Sequence, residues 1–183
     1  MTGWIVPALV GLLPVLGFLG VLVAIDSRKL VRLSTVIAVV AAGAVVAGLC
    51  YAANAWLIDR LGLDLRAYTR YVAPIVEELA KATIVGVLVH TARIGFLVDG
   101  AILGFAAGAG FAVVENLYYQ YAVPDAGLGN WIVRGFGTAI MHGGATAIYT
   151  VATLALIERV KPRVLALAPG FTLAVMLHSA FNH

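Results

Sequence analysis

Residues 71–91 read YVAPIVEELAKATIVGVLVHT, an apolar stretch long enough to cross a bilayer as a helix. Three charged residues interrupt it: Glu77, Glu78 and Lys81. Each charge costs roughly 2.5–3.5 kcal/mol at mid-membrane, whereas each Ile, Val or Leu contributes only about 0.3–0.6 kcal/mol in favour of insertion. This helix would therefore insert poorly alone, and it needs partner helices that satisfy its charges.

The composition is that of a polytopic membrane protein. Of 183 residues, 62% are hydrophobic and 11% are charged, so one soluble core cannot hide the apolar surface. A single cysteine excludes a disulfide framework within the chain. The net charge of +3 is spread through loops beside the apolar runs, which indicates contact with lipid headgroups rather than with nucleic acid.

Six segments are long and apolar enough to be spans, and we expect one all-α integral membrane domain over residues 1–183. Backbone groups in lipid must be satisfied locally, and the runs are too continuous for the alternating strands of a membrane barrel. Residues 57–70 mix apolar and charged residues, which predicts an amphipathic segment in the interface. The predicted spans are 4–25, 33–56, 71–91, 94–121, 131–157 and 164–183.

The distribution of basic residues predicts the orientation of the bundle. Seven Lys and Arg residues flank one side of the predicted spans and four flank the other, so the first group is expected inside and both termini outside. The inner group is Arg28, Lys29, Arg32, Arg93, Arg159, Lys161 and Arg163, and the outer group is Arg60, Arg66, Arg70 and Arg134.

Ionisable residues on four different spans fall at a similar depth. At about 1.5 Å per residue, Glu77, Glu78 and Glu115 lie roughly 9–10 Å from the outer ends of their helices. His178 lies near the same level, and His142 lies deeper, at roughly 16 Å. Adjacent spans run antiparallel, so we expect these acids and imidazoles to meet in the outer half of the bundle.

Spacing within the helices supports the same cluster. Lys81 follows Glu77 by four residues and Glu78 by three, so its ammonium can reach either carboxylate. His178 and Asn182 share a helix face. Carboxylates and imidazoles brought together in this way are residue types that can activate a water molecule.

Two mechanisms remain open from the residues alone. A carboxylate can act as general base on water without a metal. Alternatively, two carboxylates and two imidazoles can bind zinc and leave a position open for water. The chain has no His-Glu-x-x-His sequence, so the usual zinc-protease arrangement is missing. We favour the metal-free mechanism, with zinc as the alternative cofactor.

Four motifs together resemble the PrsW family of intramembrane proteases. They are Glu77-Glu78-x-x-Lys81, Phe111-x-x-x-Glu115-Asn116, His142 and His178-x-x-x-Asn182. The resemblance covers residues 70–183, the expected catalytic core, and the first two spans match only as generic hydrophobic helices. The related CAAX prenyl endopeptidases have histidine where this chain has Glu115, which favours PrsW.

The resemblance implies a function and roles for these residues. It implies cleavage of membrane-anchored proteins, such as anti-sigma factors, in the bacterial cytoplasmic membrane. A glutamate of the Glu77–Glu78 pair would activate water, and His178 and Asn182 would serve the oxyanion. His142 would complete the water site or protonate the leaving amine.

Other interpretations of these residues compete. The charges of residues 77–81 are also typical of a structural salt-bridge cluster, of a proton-coupled transporter or of a membrane scaffold. The transporter is disfavoured because the charges share one level and no inverted repeat is visible. Arg134 is expected to be an interfacial anchor that can steer an anionic substrate segment, and Asp99 to cap its helix or pair with Arg93. The tryptophans at the span ends, Trp4, Trp56 and Trp131, are expected in aromatic belts.

Overall fold

The computed structural model describes residues 5–26, 31–91 and 94–183, and within them all regular structure is helical. The all-α prediction is confirmed. Trp4, Arg28, Lys29 and Arg93, which entered the predictions above, lie outside the described residues. The helices are α1 Ile5–Ile25, α2 Leu33–Leu61, α3 Leu65–Ala67, α4 Ala73–His90, α5 Leu97–Ala122, α6 Leu128–Thr138, α7 Ala145–Leu156 and α8 Ala168–Phe181.

Short irregular turns extend these helices into longer units. A π-helical turn, Tyr68–Val72, joins α3 to α4, and a second, Ala139–Gly144, joins α6 to α7. A 3₁₀ turn, Arg163–Ala166, precedes α8. Among the described residues, five units are long and apolar enough to cross a membrane: Ile5–Ile25, Leu33–Leu61, Leu97–Ala122, Leu128–Leu156 and Arg163–Phe181. The sixth, α4, carries the three charges.

Residues 57–70, predicted to be an amphipathic segment in the interface, are divided between the end of one helix and the start of the next, and their location at the interface stays a prediction. Helix α2 continues through the first part of it and ends at Leu61, where Gly62 adopts a left-handed φ of 59°. The side chain of Asp64 then accepts hydrogen bonds from the backbone N–H of Arg66 and Ala67, at 2.9 and 3.0 Å. This N-cap begins the helical unit that continues into α4, so the segment is a helix end and a helix start.

Helix α5 lies at the centre of the bundle and is buried along most of its length. Its glycines allow backbones to approach closely, as the small residues of this span predict. A Cβ atom added at Gly108 would lie 2.1 Å from the carbonyl oxygen of His142, and one added at Gly110 would lie 2.0 Å from that of Val40. The central helix therefore contacts both α2 and the π-helical turn that carries His142.

The two described tryptophans have different environments. Trp56 is exposed on the outside of the bundle, as the aromatic-belt prediction requires. Trp131 is buried instead, and its indole N–H donates to the carbonyl of Ala126 at 3.0 Å. The belt prediction is therefore wrong for Trp131, because this side chain packs beside Gly11 of α1.

Candidate active site

Four parts of the fold bring the predicted ionisable residues into one connected cluster. Helix α4 provides three of them, and α5, the turn between α6 and α7, and α8 provide one each. The members of this cluster are Glu77, Glu78, Lys81, Glu115, His142 and His178. Direct contacts link them, so the residues expected at a shared depth do meet in the structure.

Glu78 is the anchored carboxylate of the pair. Its Oε1 accepts from the ammonium of Lys81 at 2.5 Å and from Nδ1 of His178 at 2.8 Å. All three side chains are buried, Lys81 completely. Since an unpaired charge at such a site would be costly, Glu78 and Lys81 compensate each other. Glu78 also sets the orientation of the His178 ring.

His142 lies between a cation and an anion. Its Nδ1 is 2.9 Å from the Lys81 ammonium, and its Nε2 is 2.9 Å from Oε2 of Glu115. A charged lysine can only donate, so Nδ1 accepts and the Nε2–H group donates to Glu115. The ring also packs against Phe111 and meets the His178 ring edge-on, with centroid distances of 4.8 Å in both cases.

Glu77 differs from its neighbour because one of its oxygens is unengaged. Oε1 accepts from the amide of Asn54 at 3.0 Å, and Asn54 in turn accepts from the Tyr68 hydroxyl at 2.8 Å. Oε2 is buried and has no hydrogen-bond partner among the described residues. It lies 3.7 Å from Nε2 of His178. A free carboxylate oxygen thus faces a free imidazole nitrogen.

These two atoms belong to residues that line a cavity of about 180 Å³. That volume holds several water molecules at roughly 30 Å³ each. The lining is largely polar and comes from the same helices as the cluster, which makes the cavity a candidate reaction chamber. Its residues are Thr69, Ala73, Glu77, Glu115, Tyr119, Arg134, Thr138, Met141, His178, Phe181 and Asn182.

Two further predicted site residues have separate positions. Asn182 lines the cavity, and its amide donates to the carbonyl of Thr69 at 2.8 Å. Asn116 is buried elsewhere, where its amide donates to the carbonyl of Gly11 at 2.8 Å and to the Thr138 hydroxyl at 3.0 Å. The structure therefore brings Asn182 to the site, whereas Asn116 connects α5 to α1 and α6.

Sequence reasoning missed two side chains that contact the cluster. Asn54, an amide within the apolar run of α2, holds Glu77. Arg134 lies with its Nη2 3.2 Å from Oε2 of Glu115 and its guanidinium 3.6 Å above the ring of Tyr119. Its spacing of eight residues before His142 is a signal, since residues about two helical turns apart share a face.

Asp99 caps α5 as expected, accepting from the N–H of Gly95 and Phe96.

Part of the cluster has the donor set of a metal site. Ligand atoms of Glu77, His142 and His178 lie within 4.8 Å of one another. One carboxylate and two imidazoles suit zinc, and the unpaired Oε2 of Glu77 fits this use. Against it, both ring nitrogens of His142 are engaged, one of them by the cation of Lys81. A zinc ion would require His142 to release one of these contacts.

The fold and site define an integral membrane protein with a buried carboxylate–imidazole–ammonium centre beside a polar cavity. A family model described as PrsW family intramembrane metalloprotease matches residues 30–183. The chain belongs to this family and is an intramembrane protease. The match includes α2, so the family region is larger than the residues 70–183 expected from the motifs. Neither the curated proteins nor the solved structures gave a match.

Proposed function

We propose that this chain is an endopeptidase that hydrolyses a peptide bond in or near a transmembrane segment of a membrane-anchored protein, with Glu77 as general base. The observation that carries the proposal is the buried, unpaired Oε2 of Glu77 at the cavity. Buried carboxylate oxygens are normally hydrogen-bonded. A water in the cavity would satisfy this oxygen and would be activated by it.

The reaction balances with the residues present. Oε2 of Glu77 takes a proton from water while the water oxygen bonds to the scissile carbonyl carbon. A neutral His178 donates its Nδ1–H to Glu78, so the lone pair of its ring is on Nε2, the nitrogen nearer Glu77. As the C–N bond breaks, the proton held by Glu77 passes to the leaving amine. Glu77 is then ready for another water.

The remaining charged residues position these groups. Asn54 fixes Oε1 of Glu77, so the other oxygen keeps its orientation. The Glu78–Lys81 pair holds His178 on one side and His142 on the other. Such preorganisation is a large part of catalytic power, because misplacement of a reacting group by about 1 Å can cost about 100-fold in rate.

The zinc-dependent form of the same protease is the second candidate. Glu77, His142 and His178 would hold the ion, in keeping with the description of the family. Bound zinc would polarise the scissile carbonyl and acidify a bound water. We favour the metal-free form because the ammonium of Lys81 already occupies Nδ1 of His142.

We further propose the setting of this reaction. The substrate class is a single-span membrane protein such as an anti-sigma factor, and the membrane is a bacterial cytoplasmic membrane with both termini of this chain outside. The described basic residues Arg32, Arg159, Lys161 and Arg163 would then face the cytoplasm.

The test combines metal content with cleavage. The protein is purified in detergent without added metal, zinc per chain is quantified, and a single-span substrate is offered with and without a chelator. We expect fragments of the substrate, little zinc and no effect of the chelator. Stoichiometric zinc with cleavage that the chelator abolishes would replace the metal-free mechanism by the zinc form. Preparations that cut no membrane-anchored substrate would contradict the function.

A further inference from the structure

Arg134 has hydrogen-bond donors that nothing in the described structure uses. Its Nε and Nη2 atoms are buried and have no hydrogen-bond partner among the described residues. Nη2 lies 3.2 Å from Oε2 of Glu115, an ionic contact in which no N–H is directed at the oxygen. A buried donor without a partner costs about 1–3 kcal/mol, so these groups are expected to bind a water or a substrate atom.

The surroundings of Arg134 hold its guanidinium in place. Its Cζ lies 3.6 Å from the centroid of the Tyr119 ring, and the Glu115 oxygen that it approaches also accepts from Nε2 of His142. Arg134, Tyr119 and Glu115 all line the cavity that Glu77 and His178 also line. These contacts therefore fix the orientation of the guanidinium of a residue that lines the chamber where the substrate carbonyl would react.

Two other potential donors near the cavity already have acceptors. The amide of Asn182 donates to Thr69, and Nδ1 of His178 donates to Glu78. These are the two residues that the family resemblance assigned to the oxyanion. A developing oxyanion needs donors directed at it, and charge-assisted donors are the stronger kind.

We propose that Arg134 is a further catalytic residue, whose Nε and Nη2 donate to the oxyanion that forms on the scissile carbonyl. This inference rests on the proposed function. Its chemistry requires no additional reactant, because the negative charge that Arg134 stabilises is the one created when water adds to the carbonyl carbon. Glu115 then acts as the positioning residue that keeps the guanidinium at the cavity wall.

Steady-state kinetics of two substitutions test this assignment. For Arg134→Met we expect kcat to fall about 10²–10³-fold, the usual loss for one oxyanion donor, with KM within about threefold of wild type. Arg134→Lys keeps a positive charge opposite Glu115 but loses the planar fork, so it should fold and still lose at least about tenfold in kcat. Arg70→Met is the matched control, because Arg70 is an arginine whose side-chain contact is the exposed carbonyl of His183.

A second readout separates the oxyanion role from a structural one. A substrate peptide with a hydrated fluoroketone at the scissile position mimics the tetrahedral intermediate. Arg134→Met should weaken binding of this mimic about as much as it lowers kcat, and leave binding of the uncleaved peptide unchanged. Wild-type kcat in a folded Arg134→Lys or Arg134→Met protein would overturn the inference. Equal loss of binding affinity for the mimic and for the uncleaved peptide would also overturn it. Either result would leave the proposed function standing. A wild-type protein that cuts nothing would overturn both.

Discussion

Two adjacent glutamates in this chain have different surroundings. Neighbouring positions on a helix point about 100° apart, so Glu77 and Glu78 have different hydrogen-bond partners although both approach His178. Glu78 is held by Lys81 and His178, whereas Glu77 has one oxygen held by Asn54 and one free. The sequence predicts that Lys81 can reach either carboxylate, but it contains no information on which one a partner helix engages. That choice depends on tertiary contacts.

At the residue scale, Asn54 should matter for rate more than for folding. Replacing it by leucine of similar volume removes the hydrogen bond to Oε1 of Glu77, so the carboxylate is less firmly positioned. We expect Asn54→Leu to lower the cleavage rate by about tenfold or more.

Tyr68→Phe gives a graded comparison, since it removes only the hydroxyl that supports Asn54. Its rate should lie between those of wild type and Asn54→Leu. Initial rates on a single-span substrate measure both, with unfolding midpoints in detergent as the check on folding. Wild-type turnover by folded Asn54→Leu would show that this amide does not position the base.

At the element scale, the helices were predictable and their irregularities were not. Long apolar runs indicate spans, because the hydrocarbon core sets their length. The π-helical turn at Ala139–Gly144 has no comparable pattern, and a regular rise of 1.5 Å per residue does not hold through it. A regular rise predicts that His142 lies deeper in the membrane than Glu115, yet Nε2 of His142 lies 2.9 Å from Oε2 of Glu115.

The contact between α5 and this turn gives a prediction for the same scale. A Cβ at Gly108 would lie 2.1 Å from the carbonyl oxygen of His142, a backbone atom that cannot move alone. Gly108→Ala should therefore separate α5 from the turn, lower the free energy of unfolding by about 1–3 kcal/mol and reduce cleavage.

Gly48→Ala in α2 is the matched control, because a Cβ there would meet nothing within 4 Å. It should leave both properties unchanged or slightly raise stability, since alanine favours helix more than glycine does. Unfolding in detergent, followed by helical circular dichroism, compares the two. Equal stability of the two variants would contradict the close packing of α5.

At the scale of the whole molecule, one site is assembled from widely separated parts of the chain. Residues of α2, α4, α5, α8 and the turn between α6 and α7 meet at one level of the bundle. That arrangement fits a reaction chamber better than a proton relay, which would place its groups across the membrane. The orientation with both termini outside stays a prediction.

The sequence predicted the class of site because charges in apolar helices are costly and must find one another. It indicated Glu77, Glu78, Lys81, Glu115, His142 and His178, which the structure brings into contact. It did not indicate Asn54 or Arg134 as parts of the site, because a single polar residue in a helix does not reveal which neighbour it faces. Asn116 is the opposite case: it belongs to one of the four motifs, but its hydrogen bonds are to Gly11 and Thr138 and not to the cluster.

The most direct test of the account is cleavage of a purified single-span substrate by Glu77→Gln, with products identified by mass spectrometry. The amide keeps the size of the side chain but cannot act as a base. Glu158→Gln, at an exposed ion pair with Arg163, is the control. We predict that wild type and Glu158→Gln produce the same two fragments and that Glu77→Gln, with an unchanged unfolding midpoint, produces none. Cleavage by Glu77→Gln at the wild-type rate would contradict Glu77 as the general base of this protease.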